Sequence, residues 1–148
     1  MPGTSLPRPT DAELEILRVL WDLGPSTVRD VHTALEQKRE IGYTTVLKLM
    51  QIMAAKGLVE RDETARAHVY KARVAREQTQ RQMVGDLLDR AFGGSAAKLM
   101  MQALSGRKAS AEEIAQMRQM LADFETNSET GFENDFENDF KKGKEPQP

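Results

Sequence analysis

Side chains able to do covalent or metal chemistry are scarce in this chain. It has no cysteine, which removes disulfides, thiolate metal sites and cysteine nucleophiles together. Its two histidines, His32 and His68, stand far apart without ligand spacing, so no metal or other cofactor is expected. With no phosphate loop and no nucleophile beside a recognisable base, the sequence gives catalysis no support. A different chemistry is concentrated in residues 40–59, EIGYTTVLKLMQIMAAKGLV. At helical periodicity Val46, Leu49, Met50 and Met53 share one face, while Thr44, Lys48 and Gln51 share the other. The second face is short, polar and almost uncharged, which suits a helix that reads base edges in a major groove. Tyr43 and Thr44 lie at the helix start, where side chains enter a groove first. Thr45 either joins them or serves the backbone, and Lys48 suits a guanine or a phosphate.

Such a face needs elements to aim it. Residues 1–9 are rich in Pro, Gly and Ser and are expected to be a flexible lead-in. Thr10 and Glu13 have capping-box spacing ahead of an apolar helix that includes Leu14, Leu17 and Trp21, and Gly24-Pro25 stops it. Trp21 reads as packing. Thr27 and Asp30 repeat the box ahead of Val28, Val31 and Leu35, with His32 as a satisfied, half-buried histidine beside that face. After the charged break Gln37 to Glu40 comes the polar-faced helix, closed by Gly57. LVERDETARAHVYKA then predicts a two-stranded hairpin that turns around Glu63 to Arg66. Helix, helix, helix, hairpin is winged-helix order, with residues 10–74 as the domain. Arg66 at the wing tip, with His68 on the strand beside it, is placed to touch phosphate or minor groove; the alternative is a solvated turn arginine.

Residues 75–125 read as a helical arm. Met83, Leu87 and Leu88 recur at helical steps, Leu99 and Met100 follow a possible Ser95 cap, and Ile114, Met117, Leu121 and Phe124 follow a Ser110–Glu113 capping box. Short helices cannot bury these faces alone, so they pack either on the winged helix or on a second copy. Residues 126–148, with the tandem FENDFENDF, are expected to be a disordered acidic tail. The fold class is therefore mainly α with a small β-hairpin, a winged helix-turn-helix followed by a helical arm.

The net charge of −2 is unevenly spread. Residues 1–73 carry 11 Lys/Arg and 10 Asp/Glu, 74–125 carry 7 and 7, and 126–148 carry 3 and 6. The acidity belongs to the tail, so any DNA contact must come from a local cluster of cations and helix N-termini. No apolar run is long enough to span a bilayer and the N-terminus lacks a signal-peptide hydrophobic region, which makes a cytoplasmic location the expectation.

EIGYTTVLKLMQIMAAKGLVER, ARAHVYKA, RAFGGSAAKLMMQAL and SAEEIAQMRQMLADFE, in that order, resemble the penicillinase-repressor family, the BlaI, MecI and CopY-type winged-helix regulators, over residues 10 to 125. The resemblance implies a dimeric bacterial transcriptional repressor that binds a palindromic double-stranded operator, with the arm as dimerisation element. It also implies an upstream membrane sensor protease that triggers cleavage at an Asn-Phe bond. Gln102-Ala103 stands at the matching position, so cleavage there does not carry over. Leu47 and Ile52 stand where relatives often have a basic residue, which leaves the operator sequence open. The reading that competes with DNA binding is a winged helix used as a protein-interaction module.

Overall fold

In the computed structural model of the chain, residues 6–64 and 66–130 are described. They fall into two compact units, Met1–Gly94 and Ser95–Pro148. In the first, α1 (Asp11–Leu23) starts on a complete capping box: Thr10 Oγ1 accepts the Glu13 N–H at 3.2 Å, and Glu13 Oε1 accepts the Thr10 N–H at 2.9 Å. Gly24 ends the helix at φ 86, where a residue with a Cβ would be strained. A two-residue strand, β1 (Ser26–Thr27), leads into α2 (Val28–Glu36), which starts on the reciprocal Thr27 and Asp30 bonds, both 3.1 Å. α3 (Tyr43–Lys56) ends on left-handed Gly57. It is followed by β2 (Val59–Asp62) and β3 (Val69–Ala72), which pair antiparallel with Val59 opposite Ala72 and Arg61 opposite Tyr70.

Ile16 and Leu17 of α1, Val31 and Leu35 of α2, and Val46, Met50 and Met53 of α3 close on Leu58, Val59 and Tyr70 in one buried cluster. Each of these side chains contributes on the order of 2 kcal/mol by leaving water. The heptad-like spacing within each helix is what brings the three faces to a common core. Glu13, 3% exposed, is tied to the far end of α3 by Lys56 Nζ at 2.6 Å.

The expected two-stranded hairpin is a three-stranded sheet in the order β1-β3-β2. Ser26 pairs with Tyr70 and Thr27 with Val69. Two residues are too short to carry an alternation signal, yet they satisfy the backbone groups on the open edge of β3. Their pairing also sets the start of α2 beside the wing.

α4 (Arg76–Ala91) belongs to the same unit. The Trp21 indole N–H donates to the Val74 carbonyl at 2.9 Å, and the Arg76 guanidinium lies over the Trp21 ring at 5.5 Å while pairing with Asp22. Trp21 is thus packing, as its position suggested. Of the lead-in expected over residues 1–9, only 6–9 are among the described residues. Gln82 donates to the Leu6 carbonyl, Lys56 donates to the Arg8 carbonyl, and Arg8 pairs with Asp86 at 3.1 Å, so 6–9 are held by side chains distant in sequence.

In the second unit, α5 (Ala96–Gly106) is capped by Ser95 Oγ, which accepts the Lys98 N–H. Ser110 and Glu113 exchange their two bonds, each 3.0 Å, at the start of α6 (Ala111–Thr130). That helix runs beyond the expected boundary at 125. TNSET contains no Gly or Pro, and adding residues to an established helix costs little. The rest of the expected tail, 131–148 with its FEND repeat, lies outside the described residues.

Candidate nucleic-acid interface

The start of α3 differs from those of α1 and α2. Gly42 at its N-cap makes no side-chain bond, and the first turn contains no acid, whereas α1 carries Asp11 and Glu13 and α2 carries Asp30 there. The unpaired N–H groups and positive end of the helix dipole are therefore left unneutralised. Tyr43, Thr44, Thr45, Lys48 and Gln51 are all exposed, opposite buried Val46, Met50 and Met53. Thr44, Lys48 and Gln51 follow at four- and three-residue steps along the middle of the outer face, with Tyr43 and Thr45 on either side.

An open groove of about 590 Å³ runs between the start of α2, α3 and the wing. It brings together Tyr43 and Gln51 from α3 with Arg66 and His68 from the wing turn, and adds Arg29 of α2 and Arg61 of β2. Thr44, Thr45 and Lys48 are not part of its lining. His68 is placed one residue ahead of β3, in the turn and not on the strand, because pairing starts at Val69. Arg29, Arg61 and Arg66 line the groove without any carboxylate among the described lining residues. Among the described residues no ion-pair partner stands beside Arg29, Lys48 or Arg66, a condition shared on this unit by Arg18, Lys38, Arg73, Arg81 and Arg90; what sets Arg29 and Arg66 apart is that both line the groove.

Arg61 is held differently. The Tyr70 hydroxyl, then Glu63, raise its pKa above the ordinary arginine value, and Glu63 is its ion-pair partner at the turn. On the same turn, Asp62 Oδ1 accepts the Thr64 hydroxyl at 2.7 Å and the Thr64 N–H at 2.9 Å, which keeps the Asp62 carboxyl below its usual range and folds the first half of the wing tip. Behind the groove His32 is half-buried and satisfied, its Nε2–H donating to the Ile41 carbonyl at 2.8 Å.

Sequence reasoning missed Arg29 and Arg61. Arg29 becomes a neighbour of the wing only through the β1–β3 pairing, which has no local signature. Arg61 left no signal in alternation: two residues along β2 from buried Val59, it shares that side chain's face of the strand, yet it is exposed.

The residues expected in the arm are mostly uncovered. On α4, Met83 and Leu87 are 40% and 46% exposed and Leu88 is half-buried. On α5, Leu99 is half-buried and Met100 exposed, and on α6 Ile114, Leu121 and Phe124 are exposed with Met117 half-buried. No described side chain from 95 to 127 is buried. Gln102 and Ala103 are exposed residues inside α5. Among the described residues no group of His, Asp and Glu could hold a metal ion, and no helix is long and apolar enough to cross a membrane.

The profile of the penicillinase repressor family matches residues 9–123. The transcriptional regulator BlaI of Mycobacterium tuberculosis is 32% identical over 121 residues, which span 81% of this chain and 87% of that protein. The penicillinase repressor of Bacillus licheniformis is 22% identical over 118 residues, 80% of this chain and 92% of that one. Among solved structures, the Bacillus licheniformis BlaI monomeric form in complex with the blaP half-operator covers 49% of this chain and 89% of its own, at 22% identity and a TM-score of 0.44. With the family profile spanning most of its length and a regulator 32% identical across most of both chains, this winged-helix chain belongs to the penicillinase repressor family of transcriptional repressors.

Proposed function

We propose that the chain represses transcription by binding a palindromic double-stranded operator as a homodimer, with α3 in the major groove and the wing against the flanking backbone. The observation that carries this reading is the groove in which three arginines meet the face of α3 with no carboxylate among the described lining residues. Arg29 and Arg66 have no carboxylate partner among the described residues and Arg61 has Glu63 alone, so the groove gathers positive charge that phosphates would complete. Tyr43, Thr44, Thr45, Lys48 and Gln51 are the proposed base and near-base contacts, and Arg66, His68, Arg29 and Arg61 the backbone contacts.

Dimerisation is supported by the uncovered apolar side chains of α4, α5 and α6. α4 buries only Thr79 and α5 and α6 bury no described side chain, so these helices gain stability by covering Met83, Leu87, Leu88, Leu99, Met100, Ile114, Met117, Leu121 and Phe124, and a second copy offers the same faces in return. Two recognition helices held about one DNA turn apart then read two half-sites with combined energy.

The test is selection of a duplex from a random library by the full chain, followed by the double variant Thr44→Ala, Lys48→Ala. Each lost base contact costs about 1–3 kcal/mol, so the expected result is loss of about a hundredfold in affinity for the selected duplex, with the dimer intact. Retained preference for that duplex overturns the assignment of this face. Failure to select any sequence, together with a partner protein bound independently of salt, is the result that favours an interaction module.

A further inference from the structure

The first and second helices of this chain begin on carboxylates that close capping boxes, and the third does not. A carboxylate three residues into α3 would stand against phosphate, so the usual device for fixing a helix start conflicts with the proposed use of this one. Something else must hold it, and the structure shows it behind the helix. His32, on α2, has a side chain 17% exposed. Its Nε2–H donates to the Ile41 carbonyl at 2.8 Å and lies 3.3 Å from Glu36 Oε2. Its ring meets the Tyr43 ring edge to face, with centroids 5.8 Å apart and planes at 84°. Ile41 and Tyr43 are the two neighbours of the cap residue Gly42, so one imidazole grips both sides of the cap.

We propose that His32 is a positioning residue for DNA recognition. It replaces the missing capping box by fixing the Gly42 backbone and the Tyr43 ring from the rear, so that Thr44 and Lys48 are presented at a set angle with no negative charge added at the helix start. The proposal rests on the reading of α3 as the DNA-contacting helix.

Gly42 provides the discriminating experiment. Its φ of −79 and ψ of 151 suit any residue, and an added Cβ would meet only Thr45 Oγ1, at 3.9 Å. A serine there can supply a neutral cap, and an aspartate a charged one. The full chain is compared with His32→Ala, with His32→Ala plus Gly42→Ser, and with His32→Ala plus Gly42→Asp. One readout is hydrogen exchange at the Val46 amide, which closes the first turn on the Gly42 carbonyl at 3.2 Å. The other is affinity for the duplex selected by the unaltered chain, against a scrambled duplex of equal length.

His32→Ala is expected to speed Val46 exchange about fivefold, on the scale of one lost net hydrogen bond, and to weaken the selected duplex by about the same factor while sparing the scrambled one. Gly42→Ser should restore both, whereas Gly42→Asp should restore exchange but not affinity. Unchanged Val46 exchange overturns the proposal, as does a uniform speeding of Met50 and Met53, which would assign His32 to general stability. Equal rescue of affinity by serine and aspartate also overturns it. A wild-type chain that selects no sequence overturns the reading of α3 instead, and the Val46 measurement still decides the role of His32.

Discussion

Glu13 keeps a negative charge at 3% exposure, which requires partners strong enough to offset its loss of water. Burial pushes its pKa up, but the Lys56 hydrogen bond, the Thr10 N–H and the Lys56 charge together outweigh burial and leave it below the ordinary value of 4.5. A depressed carboxyl pKa stabilises the fold above the unfolded-state value, and that contribution is lost as pH falls from 4.5 through the folded value. Glu13→Gln keeps the acceptor for the Thr10 N–H but ends the ion pair, so it should destabilise by about 1–2 kcal/mol at neutral pH. It should also flatten the acid limb of a plot of Tm against pH below 4.5. An acid limb as steep as that of the wild type would show that the acid sensitivity originates elsewhere. The same residue shows how far local reading extends. The Thr10–Glu13 box was legible because its partners lie three residues apart, while the bond to Lys56 spans 43 residues and leaves no trace in local spacing.

At the scale of elements, α1, α2 and α3 were legible because each buries one face at a regular period and starts or stops on a residue whose side chain or φ demands it, and α5 and α6 because apolar residues recur at helical steps after a serine cap. The hairpin was legible from two β-branched runs around a polar turn. β1 was not, since its cause is the open edge of β3 and not its own two residues. The candidate site divides in the same way: its α3 half follows from periodicity, and its arginine half depends on where β1 sets Arg29 and on what fixes Arg61. The wing therefore deserves its own test, because Arg66 reaches a phosphate only if the turn is held. Arg66→Ala should lower DNA affinity about evenly across sequences and reduce the salt slope by about one ion. Asp62→Ala removes both Thr64 bonds and should weaken binding in the same sequence-independent way, by about threefold, with Arg66 still present. A loss confined to the selected duplex in either variant would move the wing from backbone contact to base reading.

For the molecule as a whole, the two units pose different stability problems. Met1–Gly94 has a closed core from α1, α2, α3 and the sheet, whereas no described side chain of α5 or α6 is buried. On α6 Ile114, Leu121 and Phe124 are 38%, 51% and 51% exposed, on a helix whose other positions are largely polar. An apolar stripe on a charged helix is stable in water only when something covers it, and a second α6 is the proposed cover. If so, Ile114→Asp plus Leu121→Asp buries four carboxylates in the dimer seam, two from each chain, and should shift sedimentation from two chains to one at micromolar concentration. The winged helix should stay folded, since its core shares no residue with that stripe. Operator affinity should then fall by about a hundredfold, because each half-site must be bound without the effective concentration its partner supplied. Affinity for an isolated half-site should not change. A variant that sediments as one chain yet binds the full palindrome as tightly as wild type would separate operator recognition from this arm and return α5 and α6 to a partner other than a second copy.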